Sequence, residues 1–136
     1  MARNFDLGLQ IVALTAAEDL STNQYGPVMI SGAAADGRSQ VIAPKAAGVM
    51  VYGVQRNKLL YSRGDKTVEI AYNGLTQAIG NGSVTVDCRV AASGTVGQFR
   101  KAEAADWVRG IAVTGDGGTA GGRFTLDLHH MGKEPA

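Results

Sequence analysis

The sequence contains a single cysteine, Cys88, so no internal disulfide framework holds this chain together. Aromatic residues are sparse, with three Phe, four Tyr and one Trp, and proline occurs three times. Charged residues make up 18% of the chain, against a usual figure of about 25%, and the net charge is +1. That balance provides no overall attraction for nucleic acid. No block of like charge exists to form a polybasic membrane anchor. No apolar run reaches the ~20 residues of a membrane-spanning helix, and the start at Met1 lacks the apolar stretch of a signal peptide. The expectation is a soluble protein made in a reducing cytoplasm, with neither nucleic acid nor membrane as a partner.

Glycine, by contrast, is abundant, with 19 in 136 residues, twice the usual share of about 7%. The glycines follow no three-residue period, which excludes collagen. They punctuate apolar runs instead, as short strands and tight turns require. The hydrophobic fraction of 45% is ordinary for a folded domain, and the length suits one core burying about 68% of the unfolded surface.

Strand signals fill the chain. Phe5, Leu7, Leu9 and Ile11 alternate with polar or small residues, giving an apolar stripe at period two. Such a segment either pairs into its own sheet or adds to a neighbour's. Thr15 to Gln24 reads as a loop with at most a helical turn. Pro27 to Ile30 and Val41-Ile42 read as strands flanking a hairpin at Asp36-Gly37. Gly48 to Val54 reads as a buried strand, and Leu59 to Tyr61 as extended. Lys66 to Tyr72 alternates cleanly, and Asn73-Gly74 supplies a hairpin signal because a type I′ turn needs positive φ at both central residues. Ser83 to Asp87, Val108 to Val113 and Arg123 to Leu128 complete the strands, with Ala102 to Trp107 as a possible short helix. The fold class is all-β, a compact sandwich or barrel-like domain. Its parts are an N-terminal arm or edge strand over 1–14, a single domain over 15–128, and a polar tail over 129–136. Gly53-Val54 and Gly110-Ile111 echo one another inside glycine-interrupted strands. Two such matches do not establish a repeat.

Several motifs fail on context. Gly115 to Ala120 has the spacing GxGxxA, but an alternating strand follows where a dinucleotide site needs a helix, so a hairpin loop is the better reading. Gly64-Asp65-Lys66-Thr67 resembles a phosphate loop, yet Asp65 interrupts it and Leu59 stands where a glycine is needed. Arg63-Gly64-Asp65 is an adhesion tripeptide made of turn-forming residues. His129 and His130, the only histidines, point to opposite faces of a strand and are poorly placed to share a metal. Cys88 has no neighbouring base and reads as a core filler. Trp107 suits either a core or a binding hot spot. The expectation is no catalytic, cofactor or metal site. Candidate contact residues are Phe5, Leu7, Leu9, Ile11 and Trp107.

Taken together, Ala17 to Ser21, Tyr25 to Val28, Gly48, Gly53-Val54, Gly64 to Ile70, Asn73-Gly74, Gly80 to Val86, Trp107 to Val113, Gly122 and Phe124 to Leu128 resemble small tailed-phage capsid decoration, or cement, proteins. The resemblance runs from about Ala17 to Leu128 in glycine and apolar spacing. It implies a non-enzymatic virion protein on the capsid exterior. It further implies a homotrimer at three-fold positions that bridges subunits of the major capsid protein. A different β-rich module of a phage tail, binding a host receptor, is the competing expectation.

Overall fold

The computed structural model describes residues 9–33 and 37–135. Its strands are β1 (Gln10–Ala16), β2 (Pro27–Ala33), β3 (Ser39–Ile42), β4 (Gly53–Gln55), β5 (Thr67–Asn81), β6 (Arg89–Ala92), β7 (Phe99–Lys101), β8 (Trp107–Gly115) and β9 (Ala120–Lys133). The one helical element among the described residues is a 3-10 turn at Tyr61–Arg63, which begins at the last residue of the segment expected to be extended, Leu59 to Tyr61. No helix there is long and apolar enough to cross a membrane. The protein is all-β, built on a closed five-stranded barrel with further strands attached.

The first barrel runs β1-β3-β2-β4-β5 and closes by pairing β5 with β1. Only the β1–β3 pair is parallel. Inside it lie Leu20, Val28, Val41, Leu59, Val68 and Ile70, all with no exposed surface. The alternation at Val68 and Ile70, with Glu69 turned out to solvent, is the period-two pattern of a stave with one buried face.

The remaining strands repeat this plan. β5-β7-β6-β8-β9 forms a ring that returns to β5, and its one parallel pair is β5–β7. The register matches as well as the order. Val12 lies opposite Ile70 in the first ring, and Thr76 opposite Leu126 in the second. Val28 pairs with Gly53, and Val90 with Gly110. Ile30 pairs with Val41, and Ala92 with Phe99. Backbone bonds outside the ladders repeat too. Tyr25 N–H donates to the Gln55 carbonyl at 2.6 Å, and Asp87 N–H to that of Ala112 at 2.7 Å. Gln55 N–H reaches Gly26, and Ala112 N–H reaches Cys88, at 3.0 and 2.9 Å. Tyr25 and Asp87, which occupy matching positions, both hold a left-handed φ, at 63° and 70°. The single-domain expectation is therefore refined: one domain contains two rings of like topology, and the echo of Gly53 and Gly110 marks equivalent positions.

Those two glycines share a steric reason. A Cβ on Gly53 would land against the Ala71 carbonyl and 2.7 Å from Ile70 Cγ2, and a Cβ on Gly110 against the Asp127 carbonyl and 3.0 Å from Leu126 Cδ1. Adjacent strands approach too closely there for any side chain.

Several expectations change. β5 does not turn back at Asn73-Gly74 but continues through it, leaving the first ring and entering the second. Gly74 does take a positive φ, 94°, but a bend in one strand uses it rather than a two-residue reversal. Residues before the bend pair with β1 and those after it with β9, so each half has a partner. β1 is consequently a barrel stave from Gln10 onward, not a free arm, and residues 1–8 lie outside the described residues. Asp36 of the expected hairpin turn also lies outside them; β2 and β3 on either side are antiparallel. The expected polar tail is largely strand, because Gly132, at φ 76°, bends β9 so that Lys133 pairs with Trp107. Ala102 to Trp107 is not helical: the Asp106 carboxylate accepts the Glu103 N–H at 2.9 Å, stabilising a turn instead. Ser83 to Asp87 is a turn that buries Val84, and of Gly48 to Val54 only the last two residues enter a strand.

Gly53→Ala and Gly110→Ala are each expected to lower unfolding free energy by about 2 kcal/mol, because backbone must move to admit the methyl group. Gly118→Ala, whose Cβ would meet its nearest neighbour at an ordinary 3.7 Å, should stay close to wild type. Urea denaturation of the three variants checks this.

Candidate interaction site

The two rings meet along β5, and the chemistry of that junction centres on Arg109. Its side chain leaves β8 and is almost wholly buried, with 2% of the residue exposed. The guanidinium donates to the carbonyls of Tyr52, at 2.9 Å from Nη2 and 3.3 Å from Nε, and of Tyr72. Both acceptors belong to the first ring, so one fork joins the two halves. Nη1 has no hydrogen-bond partner among the described residues. Burial pulls the Arg109 pKa down to about 10, which leaves it charged at neutral pH.

Around it stand Tyr52 and Tyr72, stacked with centroids 5.9 Å apart. Burial pushes the Tyr52 phenol up, and the neighbouring Tyr72 adds to that. The β9 bulge opposite Arg109 carries His129, His130 and Met131. His130 titrates below the ordinary histidine value, first from burial and then from the Arg109 charge. His129 is 3.9 Å from Asp127, the ordinary environment of an exposed strand. Among the described residues, no group of three His, Cys, Asp or Glu side chains gathers in metal-binding geometry.

A groove of about 630 Å³ opens between the rings, lined by Leu9, Tyr25, Arg56, Val113 and Arg123 among others. The Arg123 guanidinium lies 4.8 Å from the centre of the Tyr25 ring, a cation–π contact that fixes both side chains on the rim. The groove mixes apolar Leu9, Leu75 and Val113 with polar side chains such as Gln77 and Thr114, and Arg56 and Arg123 make it basic, a combination suited to gripping protein surface carrying carboxylates. A second groove, of about 380 Å³, lies at the far end of the second ring against Thr85 to Arg89. On its rim Glu134 takes a bidentate bond from Arg89, which holds the Glu134 carboxyl below the usual range.

The candidate contact residues fall in different places. Phe5 and Leu7 lie outside the described residues. Leu9 is half-buried, touching the core of the second ring and lining the larger groove. Ile11 sits on β1 with 42% of its surface exposed. Trp107 begins β8, its N–H donating to the Gly48 carbonyl at 2.9 Å and its ring 5.1 Å from the Lys133 ammonium. Six residue steps along β8, about 20 Å, take the chain from Trp107 to Val113 in the groove, so Leu9 and Trp107 do not share a patch. Sequence reasoning passed over Arg109, although a cation inside Val108-Arg109-Gly110-Ile111 is the signal that would have found it. It also passed over the exposed Ile30, Met50 and Val86.

The motifs set aside earlier have local structural roles. Asp65 accepts the N–H groups of Leu60 and Thr67, so its carboxylate occupies the turn where a phosphate loop would present amides. Gly115 to Ala120 forms the β8–β9 hairpin, and the Gly117 carbonyl accepts N–H groups from Gly82 and Val84, both at 3.2 Å. That loop is tied down rather than free.

Arg109→Lys keeps the buried charge but loses the fork that reaches two carbonyls. It should cost about 2 kcal/mol of stability in urea denaturation. For His130, the folded protein prefers the neutral ring, so the unfolded chain binds the proton first on acidification. Stability is then full above the usual histidine range of about 6.5 and declines as pH falls through it. Removing the Arg109 charge with Arg109→Met should move the His130 midpoint upward in an NMR titration.

Comparison with protein-family models, with curated proteins and with solved structures found no match to this chain.

Proposed function

We propose that the protein is a non-enzymatic structural component of a virion that binds the outside of a mature phage capsid. It stabilises the shell by bridging neighbouring subunits of the major capsid protein, acting as a homotrimer. The observation that supports this reading is the fusion of two like barrels through one continuous strand. Such a chain carries two binding bodies at a fixed spacing, which is what a bridge between adjacent subunits needs. Several weak contacts made at once by one oligomer raise effective affinity by about 10² to 10⁴. A basic groove of mixed polar and apolar lining at the junction and the exposed Ile11 on the neighbouring strand offer contact surface for such a partner. The glycine and apolar spacing from Ala17 to Leu128 resembles decoration proteins and points the same way.

Purified protein mixed with mature, expanded capsids should bind saturably and raise their resistance to heat, with less binding to immature shells. Ile11→Asp should weaken that binding by about tenfold while the chain stays folded. Absence of binding to any shell, together with binding to host cells, would replace this reading with a tail or receptor-binding module.

A further inference from the structure

The internal barrel junction has a direction. Apart from the Arg109 fork, the second ring contributes backbone from one end, and the first receives it on the other. Ile79 N–H donates to the Tyr25 carbonyl at 3.1 Å, and Gly48 N–H to the Ala92 carbonyl at 3.0 Å. Trp107 N–H returns a bond to Gly48. Gly94 and Gly97 approach so closely that a Cβ on either would meet Ala47 nitrogen at 2.9 Å or the Thr22 carbonyl at 3.2 Å. The docking end of the second ring is thus Ala92, Gly94, Gly97 and Trp107, and the receiving end of the first is Thr22 to Gly26 with Ala47-Gly48.

Matching positions then identify two further surfaces, each the counterpart of one side of this junction. On the first ring, Ile30 corresponds to Ala92 through the β2–β3 and β6–β7 registers. Met50 corresponds to Trp107, three residues before the paired glycines Gly53 and Gly110. Ile30 and Met50 are 40% and 51% exposed. On the second ring, Asp87 and Cys88 correspond to Tyr25 and Gly26, and Ala105 to Gly48. There the smaller groove opens, lined by Val86, which is 56% exposed, and by the charged Asp87, Arg89, Lys101 and Glu134. Among the described residues, a docking end and a receiving end are therefore both unfilled, and both carry large apolar side chains in solvent.

We propose that copies of this chain associate head to tail, the Ile30–Met50 end of one copy seating on the Thr85 to Arg89 groove of the next. The occupant is a second copy because the seat is the counterpart of one that this same fold already fills internally. The outer contact is smaller than the inner one. The Ala105 N–H, counterpart of Gly48, is already satisfied by the Glu134 carbonyl at 2.9 Å. Where the first ring offers the buried Ala71 to its neighbour, the second has Asp127, whose side chain is 47% exposed. The association is accordingly concentration-dependent and confined to the loop end of the barrel. An interface of this type is heterologous, so it closes a ring when the rotation per copy divides the circle. This deepens the homotrimer part of the proposed function. Its test uses the free protein, so failure here leaves capsid binding standing.

The test is mutual complementation followed by sedimentation velocity. One variant carries Ile30→Asp and Met50→Asp, the other Val86→Asp; the wild type should form a closed species of three chains at roughly 0.1 mM. Each variant alone should sediment as a monomer with an unchanged melting temperature. Mixed in equal amounts they should form a heterodimer that grows no further, because only one intact seat and one intact docking end remain. A wild type that stays monomeric, a variant that still assembles alone, or a mixture that stays monomeric would each overturn the proposal. If an aspartate variant unfolds, the threonine substitutions at the same positions take its place in the same measurement.

Discussion

One strand belongs to two barrels, and the arrangement of this protein follows from that sharing. β5 supplies the last stave of the first ring with Val68 and Ile70 turned inward. Beyond the bend at Gly74 it supplies the first stave of the second, with Thr76 and Ala78 turned inward. A strand used twice cannot slip in register, since a one-residue shift would expose both sets of inward side chains. It also fixes the distance between the rings without a linker. The two hydrophobic clusters meet behind it, where Val51, Val54 and Ala71 of the first ring join the core built on Phe99, Phe124 and Leu126.

Against that apolar contact stands a charge that is expensive to bury. A buried guanidinium that meets no carboxylate among the described residues carries a desolvation cost of several kcal/mol, offset here by the carbonyls of Tyr52 and Tyr72. Both carbonyls lie at places where sheet pairing is interrupted, ahead of β4 and at the β5 bend, so they need an outside donor. Arg109 supplies one from the other ring. The charge therefore satisfies backbone that the shared strand leaves open, beside the stacked rings of Tyr52 and Tyr72.

Much of the all-β character was legible because alternation and glycine punctuation report directly on strands. Val68 to Tyr72, Val108 to Val113 and Phe124 to Leu128 lie where period two places them. The duplication was hidden because a barrel requires burial at a position rather than a particular residue. Val41 is matched by Phe99, Ile70 by Leu126, and Gln55, hydrogen-bonded to Leu20 and Asn57, by Ala112. Even the left-handed positions differ, with Tyr25 facing Asp87 and Gly48 facing Ala105. Gly53 and Gly110 kept their identity, where the approach of β5 and β9 leaves no room for a side chain, and so did the residues paired with them, Val28 and Val90. Asn73-Gly74 was misread for a related reason: sequence reports the positive φ, but whether the chain reverses or continues depends on partner strands distant in sequence. The interaction residues were the least legible. Ile30, Met50 and Val86 are ordinary apolar residues until the fold leaves them in solvent.

The parallel pairing of β1 with β3, closed by β5, also dictates an order of events during synthesis. The first ring lacks its final stave until residues 67 to 73 have left the ribosome, and β1 waits meanwhile with an unpaired edge. Completing that ring places the second half of β5 in position as a ready template, so the later strands assemble on an existing edge. Contacts between residues so far apart in sequence make closure of each ring slow. The first closure is the more exposed to misassembly, because β1 waits for its partner while the second ring begins on a strand already held in place.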